Sequence, residues 1–152
     1  MRGNMKKFGF LIGKWELDYR IPESPMHRAA TGSGEGEFKR ILDDRYVVFD
    51  YTSVIEGQTG SAHGIFARDR QEGIYRYWWF ESSGNYARAD CRFLNDGLLF
   101  MTWQDSHLRQ TFEKTGKDSV VLRMESPDEQ GEYRLVMEVG LSREEGRNQV
   151  RG

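Results

Sequence analysis

From Lys14 to Ile21 the chain alternates without a fault. Trp15, Leu17, Tyr19 and Ile21 are apolar or aromatic, and Lys14, Glu16, Asp18 and Arg20 between them are charged. Successive side chains of an extended strand point to opposite faces, so a period of two marks a strand with one buried face and one face in water. Pro22 and Pro25 end it, because proline offers no ladder donor and fixes its own φ.

The same rhythm predicts further strands near 29–42, 45–56, 59–69, 73–81, 85–95, 97–104, 107–115, 118–126 and 132–142. Turn-forming clusters separate them: Asp43-Asp44, Glu56-Gly57, Gln71-Glu72-Gly73, Ser82-Ser83-Gly84, Asn95-Asp96-Gly97, Asp105-Ser106, Thr115-Gly116-Lys117 and Pro127 to Gly131. The Asn95-Asp96-Gly97 turn and the turn at Gly116 are the strongest hairpin signals, since Gly, Asn and Asp accept the positive φ of tight turns. No segment sustains a 3.6-residue apolar period beyond two turns. Only Asn4 to Leu11 has room for a short helical segment, stopped at Gly13.

Connections this short exclude parallel pairing, which needs a crossover of roughly a dozen residues. A sheet of consecutive hairpins escapes exposed edges best by closing on itself. The expectation is therefore all-β: an antiparallel up-and-down barrel of about ten strands with a short N-terminal helical segment. An open two-layer sandwich is the competing architecture. Residues 1–142 read as one barrel domain, and 143–152 as a polar C-terminal tail that frays.

Composition supports this reading and removes some functions. Nine Phe, four Trp and seven Tyr accompany 17 Gly and only three Pro, a balance that favours pleated surfaces punctuated by turns. The 152 residues suit a single domain that buries enough surface to need no disulfide or metal. Cys91, the one cysteine, has no internal disulfide partner, which fits a reducing compartment. The net charge of −2, with both signs scattered, gives no footprint for nucleic acid or an anionic membrane. The apolar run Phe8 to Ile12 is too short for a secretory signal or a membrane span. The expected location is cytoplasmic.

Few residues invite a chemical reading. Asp105-Ser106-His107 holds the three letters of a hydrolase triad, but neighbours in an extended chain point apart, and a triad needs side chains converging from separate positions. His27, His63 and His107 are isolated and lack metal-ligand spacing. Cys91 reads as a packed small hydrophobe. Gly32, Gly34 and Gly36 share one face of the second strand. They permit a sharp bend and cover by aromatics of a neighbouring strand, and pairing across the Pro22–Met26 turn sets Trp15 near Ser33, beside that row. No catalytic residue, metal or cofactor is implied. In Tyr75-Arg76-Tyr77-Trp78-Trp79-Phe80, Trp78 and Trp79 fall on opposite faces. One face of this strand therefore suits a cavity wall or core, and the other an interface between subunits.

Gly13-Lys14-Trp15, opening the first long strand after a short helical segment, resembles the Gly-x-Trp signature of the calycin barrels, the lipocalins and their fatty-acid-binding and haem-binding relatives. Ala62 to Asp69, followed by Tyr75 to Gly84, is similar to bacterial calycin-like barrels of uncharacterised function. The resemblance implies a barrel with an internal cavity. It also implies that Trp15 packs at the closed end beneath an arginine from near the last strand, for which Arg143 is the nearest candidate; Gly13, Trp15 and Arg143 would then form the barrel closure. The haem-binding calycins carry glycines at alternate positions after the Trp and a late axial His. Here Leu17 and Tyr19 stand in place of the glycines and the last strand has no His, which demotes haem.

These readings converge on binding of a small, largely apolar molecule inside the barrel. The candidate lining residues are Phe49, Tyr51, His63, Tyr77, Trp79 and Trp103. The inward parity of the aromatic strands stays open, because a slip of one residue exchanges the two faces. The alternative function is a non-catalytic interaction protein that forms a homodimer through an outer aromatic face. An enzyme using the cavity is the remaining alternative, with no convergent constellation visible.

Overall fold

The structure, a computed structural model, describes residues 3–144. A 3-10 helix (Gly3–Leu11) leads into β1 (Gly13–Ile21), β2 (Ala30–Ile41), β3 (Tyr46–Ile55), β4 (Gln58–Asp69) and β5 (Ile74–Glu81). The chain continues through β6 (Tyr86–Asn95), β7 (Leu98–Trp103), β8 (Arg109–Gly116), β9 (Ser119–Pro127) and β10 (Tyr133–Arg143). Every strand pairs antiparallel with its neighbour in sequence, and β1 pairs with β10 as well as with β2. The fold is thus a closed, up-and-down, all-β barrel with a short N-terminal helix, and no sheet edge is left open. Arg143 belongs to β10 rather than to a tail. From residue 145 onwards the expected frayed segment lies outside the described residues.

Two local readings are corrected. The β1–β2 connection runs to residue 29 and contains a Ser24–His27 bridge, so Ile21 pairs with Ala30 and Trp15 stands opposite Gly36, not beside Ser33. Ser33 pairs with Asp18 on the outer face. Gly116 takes no positive φ; it ends β8 beyond a register shift at Lys114, and Lys117 and Asp118 make the turn. Gly97 does carry the left-handed φ of 79° that its tight turn demands.

The inward glycine row of β2 lies opposite Tyr19, Leu17 and Trp15, and aromatics of β3 use its space. A Cβ on Gly36 would meet Phe49 Cε1 at 2.7 Å and Tyr51 Cβ at 3.0 Å. Gly64 on β4 serves the same end, because a Cβ there would overlap the phenol of Tyr77.

One end of the barrel is plugged. Met5, Phe8 and Leu11 recur every third residue, which aligns them on one face of a three-per-turn helix, and all three are fully buried. Phe8 meets Phe66, Tyr75 and Phe93 at ring-centre distances of 4.9–5.2 Å. Arg143 locks the helix in place: Nη1 donates to the Ile12 carbonyl at 2.6 Å and Nη2 to that of Phe10 at 3.1 Å. Trp15 Nε1 donates to the Leu11 carbonyl at 2.7 Å. Gly13 adopts φ 131°, and a Cβ there would collide with the Arg143 guanidinium. The structure therefore brings Gly13, Trp15 and Arg143 together at the plugged end. Among the described residues no helix is long and apolar enough to cross a membrane.

Candidate functional site

Above the plug, the barrel encloses a cavity of about 880 Å3. Its floor is apolar, made by Leu17, Phe49, Phe112, Leu122 and Leu141. Below that floor Phe38 stacks on Phe49 with ring centres 3.8 Å apart, so the space ends in a packed core. The opposite end is the mouth, bordered by Glu81 and Tyr86, which flank the β5–β6 turn, and by Asp105 and Ser106 of the 104–108 loop.

Alternation sets which side chains reach this space. On β5, Tyr75 and Tyr77 are buried and Trp79 follows them inward, while Trp78, paired with Arg88, has the opposite parity and, like Arg88, still borders the space. The register pairs Tyr77 with Ala89, and Ala89 with Trp103, so small and large residues interlock around the wall. Phe49, Tyr51, Tyr77, Trp79 and Trp103 all line the cavity.

His63 does not. It pairs with Asp50 on the outer face, where its Nδ1 contacts the Asp50 carboxylate, and it borders a shallow external groove. The reason is parity: Phe49 faces inward, its partner on β4 is Gly64, and His63 as the next residue must point out. Tyr19, Ser53, Gln110, Met124 and Met137 line the cavity without having been singled out from the sequence. The signal for Tyr19 and Gln110 was present, since each shares parity with a large inward neighbour, Leu17 and Phe112 respectively.

The polar groups of the cavity are neutral and tied to its aromatic walls. Trp79 Nε1 donates to the Tyr51 hydroxyl at 2.8 Å, and Trp103 Nε1 donates to Gln110 Oε1 at 3.1 Å. The two indoles meet edge to face with centres 6.2 Å apart. Tyr19 is hydrogen-bonded to Ser53. Burial is the main cause that raises the pKa of Tyr19, Tyr51 and Tyr77 above the ordinary phenol value, so all three stay protonated at neutral pH. Among the described lining residues only Glu81, Arg88 and Asp105 carry charge; Glu81 and Asp105 are at the mouth, and Arg88 stands opposite Trp78 with a buried Nε that has no hydrogen-bond partner.

The remaining chemical candidates have structural partners. Ser106 accepts a hydrogen bond from the Leu108 amide at 3.2 Å, an ordinary turn contact. Cys91 is buried in the core, and burial pushes its thiol pKa up, away from thiolate chemistry. Among the described residues, no three His, Cys, Asp or Glu side chains gather closely enough to hold a metal ion.

Comparison with solved structures finds the same architecture at low sequence identity. Rv2717c from M. tuberculosis superposes with a TM-score of 0.67 at 11% identity, over 95% of this chain and 99% of that one. The S-type phycobiliprotein lyase CPES from Guillardia theta gives 0.63 at 8% identity, over 91% of each chain. A de novo designed fluorescence-activating β-barrel gives 0.51 at 16% identity, over 90% of this chain and 95% of that one. None of the curated proteins matches the sequence. The match that spans residues 6–143, essentially the whole barrel from plug to closing strand, places this chain in the family described as Protein of unknown function (DUF1579).

Proposed function

We propose that the protein binds one small, largely apolar molecule in the barrel interior, in the manner of calycin-like carriers, and performs no chemistry on it. The observation that carries this reading is the cavity: about 880 Å3, with an apolar floor and aromatic walls, at the end of the barrel opposite the plug. Ligand pockets are typically roughly 300–1,000 Å3, predominantly apolar, with a few polar groups that fix orientation. The lining set fits that description, with Phe49, Tyr51, Tyr77, Trp79 and Trp103 as the binding residues. The neutral, mutually bonded polar groups favour binding over catalysis, since none forms a nucleophile–base pair. Two barrels of similar fold support the binding part of this reading by analogy: one is a designed fluorescence-activating barrel and the other a phycobiliprotein lyase.

Native mass spectrometry of protein purified without denaturation tests the reading. A defined extra mass, present once per chain and released by organic solvent, is the expected result. Ligand-free protein that takes up nothing from a mixture of apolar compounds contradicts it.

A second reading rests on the outer face. Phe80 and Tyr86 stand directly opposite each other on β5 and β6 and are 48% and 78% exposed. An aromatic pair left in water favours a homodimer contact there. Light scattering distinguishes a dimer from a monomer, and dimerisation through this face is compatible with an occupied interior.

A further inference from the structure

The bonding pattern around the two cavity tryptophans narrows the class of ligand. An indole N–H is a donor only, so each bond consumes acceptor capacity on its partner. Trp79 takes a lone pair of the Tyr51 hydroxyl, and Trp103 takes the carbonyl oxygen of Gln110. That requirement also fixes the Gln110 amide, whose NH2 must be the end turned away from Trp103. What Tyr51 and Gln110 have left is an excess of donors: one O–H and two N–H, against one remaining lone pair on each bonded oxygen. Both residues line the cavity, and these donors have no protein acceptor among the described residues.

We infer that the ligand is an uncharged molecule with a flat apolar body and a carbonyl-type oxygen, which accepts from the Tyr51 hydroxyl and the Gln110 amide. This rests on the binding function proposed above and specifies it. A dry hydrocarbon in the same space leaves three donors unpaired, which a site of this kind discriminates against. An ionised carboxylate meets the opposite problem. The only cation among the described lining residues, Arg88, pairs with Trp78 and has the parity opposite to that of Trp79 and Tyr77, so a carboxylate held by the Tyr51 and Gln110 donors is buried with no cation projecting from the inward face beside it. A cationic group fares no better, since the acceptors at that level are neutral hydroxyls and an amide, and the carboxylates of Glu81 and Asp105 are at the mouth. The body of the ligand takes the apolar floor between Phe49 and Phe112, and the edge-to-face indoles suit an aromatic plane. Burial, reinforced by the nearby Glu81 charge, keeps the Tyr51 phenol in its donating form.

Three probes with one body test this on the full chain by titration calorimetry: 2-acetylnaphthalene, 2-ethylnaphthalene and 2-naphthoate, at pH 7. The ketone is expected to bind about tenfold more tightly than the ethyl compound, the scale of one or two satisfied hydrogen bonds, and more tightly than the anion by at least about the same factor. Tyr51→Phe is expected to shrink the ketone-to-ethyl ratio to about twofold. The infrared carbonyl band of ketone bound to the unaltered protein is expected to shift to lower frequency than in hexane, a readout that needs no variant. Equal binding of ketone and ethyl compound, with an unshifted band, overturns the inference and leaves the binding function standing. Tightest binding by 2-naphthoate overturns it in favour of an anion site at Arg88. If none of the three binds, the binding function fails and the inference with it.

Discussion

Arg143 lies over the indole of Trp15, its guanidinium carbon 4.3 Å from the ring centre, and the two are direct cross-strand partners where β10 meets β1. The last strand is thereby fastened to the first at the point where the N-terminal helix plugs the barrel. Trp15→Ala should destabilise the fold by about 3–5 kcal/mol, the usual range for emptying a large buried aromatic site. Arg143→Ala should cost about 1–3 kcal/mol through the lost ring contact and the two orphaned carbonyls. Arg143→Lys should recover little of it, because an ammonium cannot reproduce the planar fork that serves Ile12 and Phe10 together. Denaturant melts measure all three. A change within about 0.5 kcal/mol for Trp15→Ala would contradict this account of the closure.

The inward glycines offer a controlled pair on one strand. A Cβ at Gly64 overlaps the Tyr77 phenol, whereas the nearest atom to a Cβ at Gly60 is Ser53 Oγ at 3.9 Å. Gly64→Ala should destabilise by about 1–3 kcal/mol through overpacking. Gly60→Ala should be neutral, or stabilising by up to about 1 kcal/mol through the unfolded state. Equal effects at the two positions would mean that Tyr77 does not rest on Gly64.

The strand pattern was legible from sequence, with each strand's limits within two residues of those observed, because alternation and turn residues are local signals. Register was less legible. The β1–β2 pairing depends on how many residues the 22–29 connection consumes, and composition does not count them. The inward face of β5 was ambiguous because Tyr75, Tyr77 and Trp79 alternate with Trp78 and Phe80, leaving both faces aromatic. His63 was misassigned for the same reason, since its face follows from pairing with Asp50 and from nothing in its own strand. Gln110 was passed over because a polar residue at an inward position looks like surface until Trp103 is seen to bond it.

Stability should fall at alkaline pH. Tyr19, Tyr51 and Tyr77 have pKa values raised by burial above the unfolded value of 10.0. Above that value the unfolded chain loses these protons while the native state keeps them, so the native state binds more protons and unfolding becomes easier as pH rises. The contribution is complete below pH 10.0 and is lost on going up towards the raised native values. Phenolate absorbance from the three cavity tyrosines should appear only together with unfolding. Ionisation of Tyr19, Tyr51 and Tyr77 while the protein stays folded would contradict their burial.

The two adjacent tryptophans of β5 should behave as opposites. Trp79→Glu places a charge in the cavity and should abolish uptake of an apolar ligand, with the β-sheet circular dichroism spectrum retained. Trp78→Glu alters the outer face and should weaken uptake far less, while removing any dimer built on Phe80 and Tyr86. Binding measurements and light scattering on the two variants check this, and the reverse pattern would contradict the observed register.

The most direct test of the central claim is a fluorescence titration with the uncharged fluorophore 6-propionyl-2-(dimethylamino)naphthalene, following tryptophan emission from Trp79 and Trp103. The account predicts saturable quenching at about one ligand per chain with micromolar or tighter affinity, roughly −8 kcal/mol, which burial of a ligand of this size in an apolar pocket can supply. It also predicts a blue-shifted emission of the bound fluorophore and loss of both signals in Trp79→Glu. Quenching that rises without saturation, or that is the same in Trp79→Glu as in the unaltered protein, would contradict a ligand site inside this barrel.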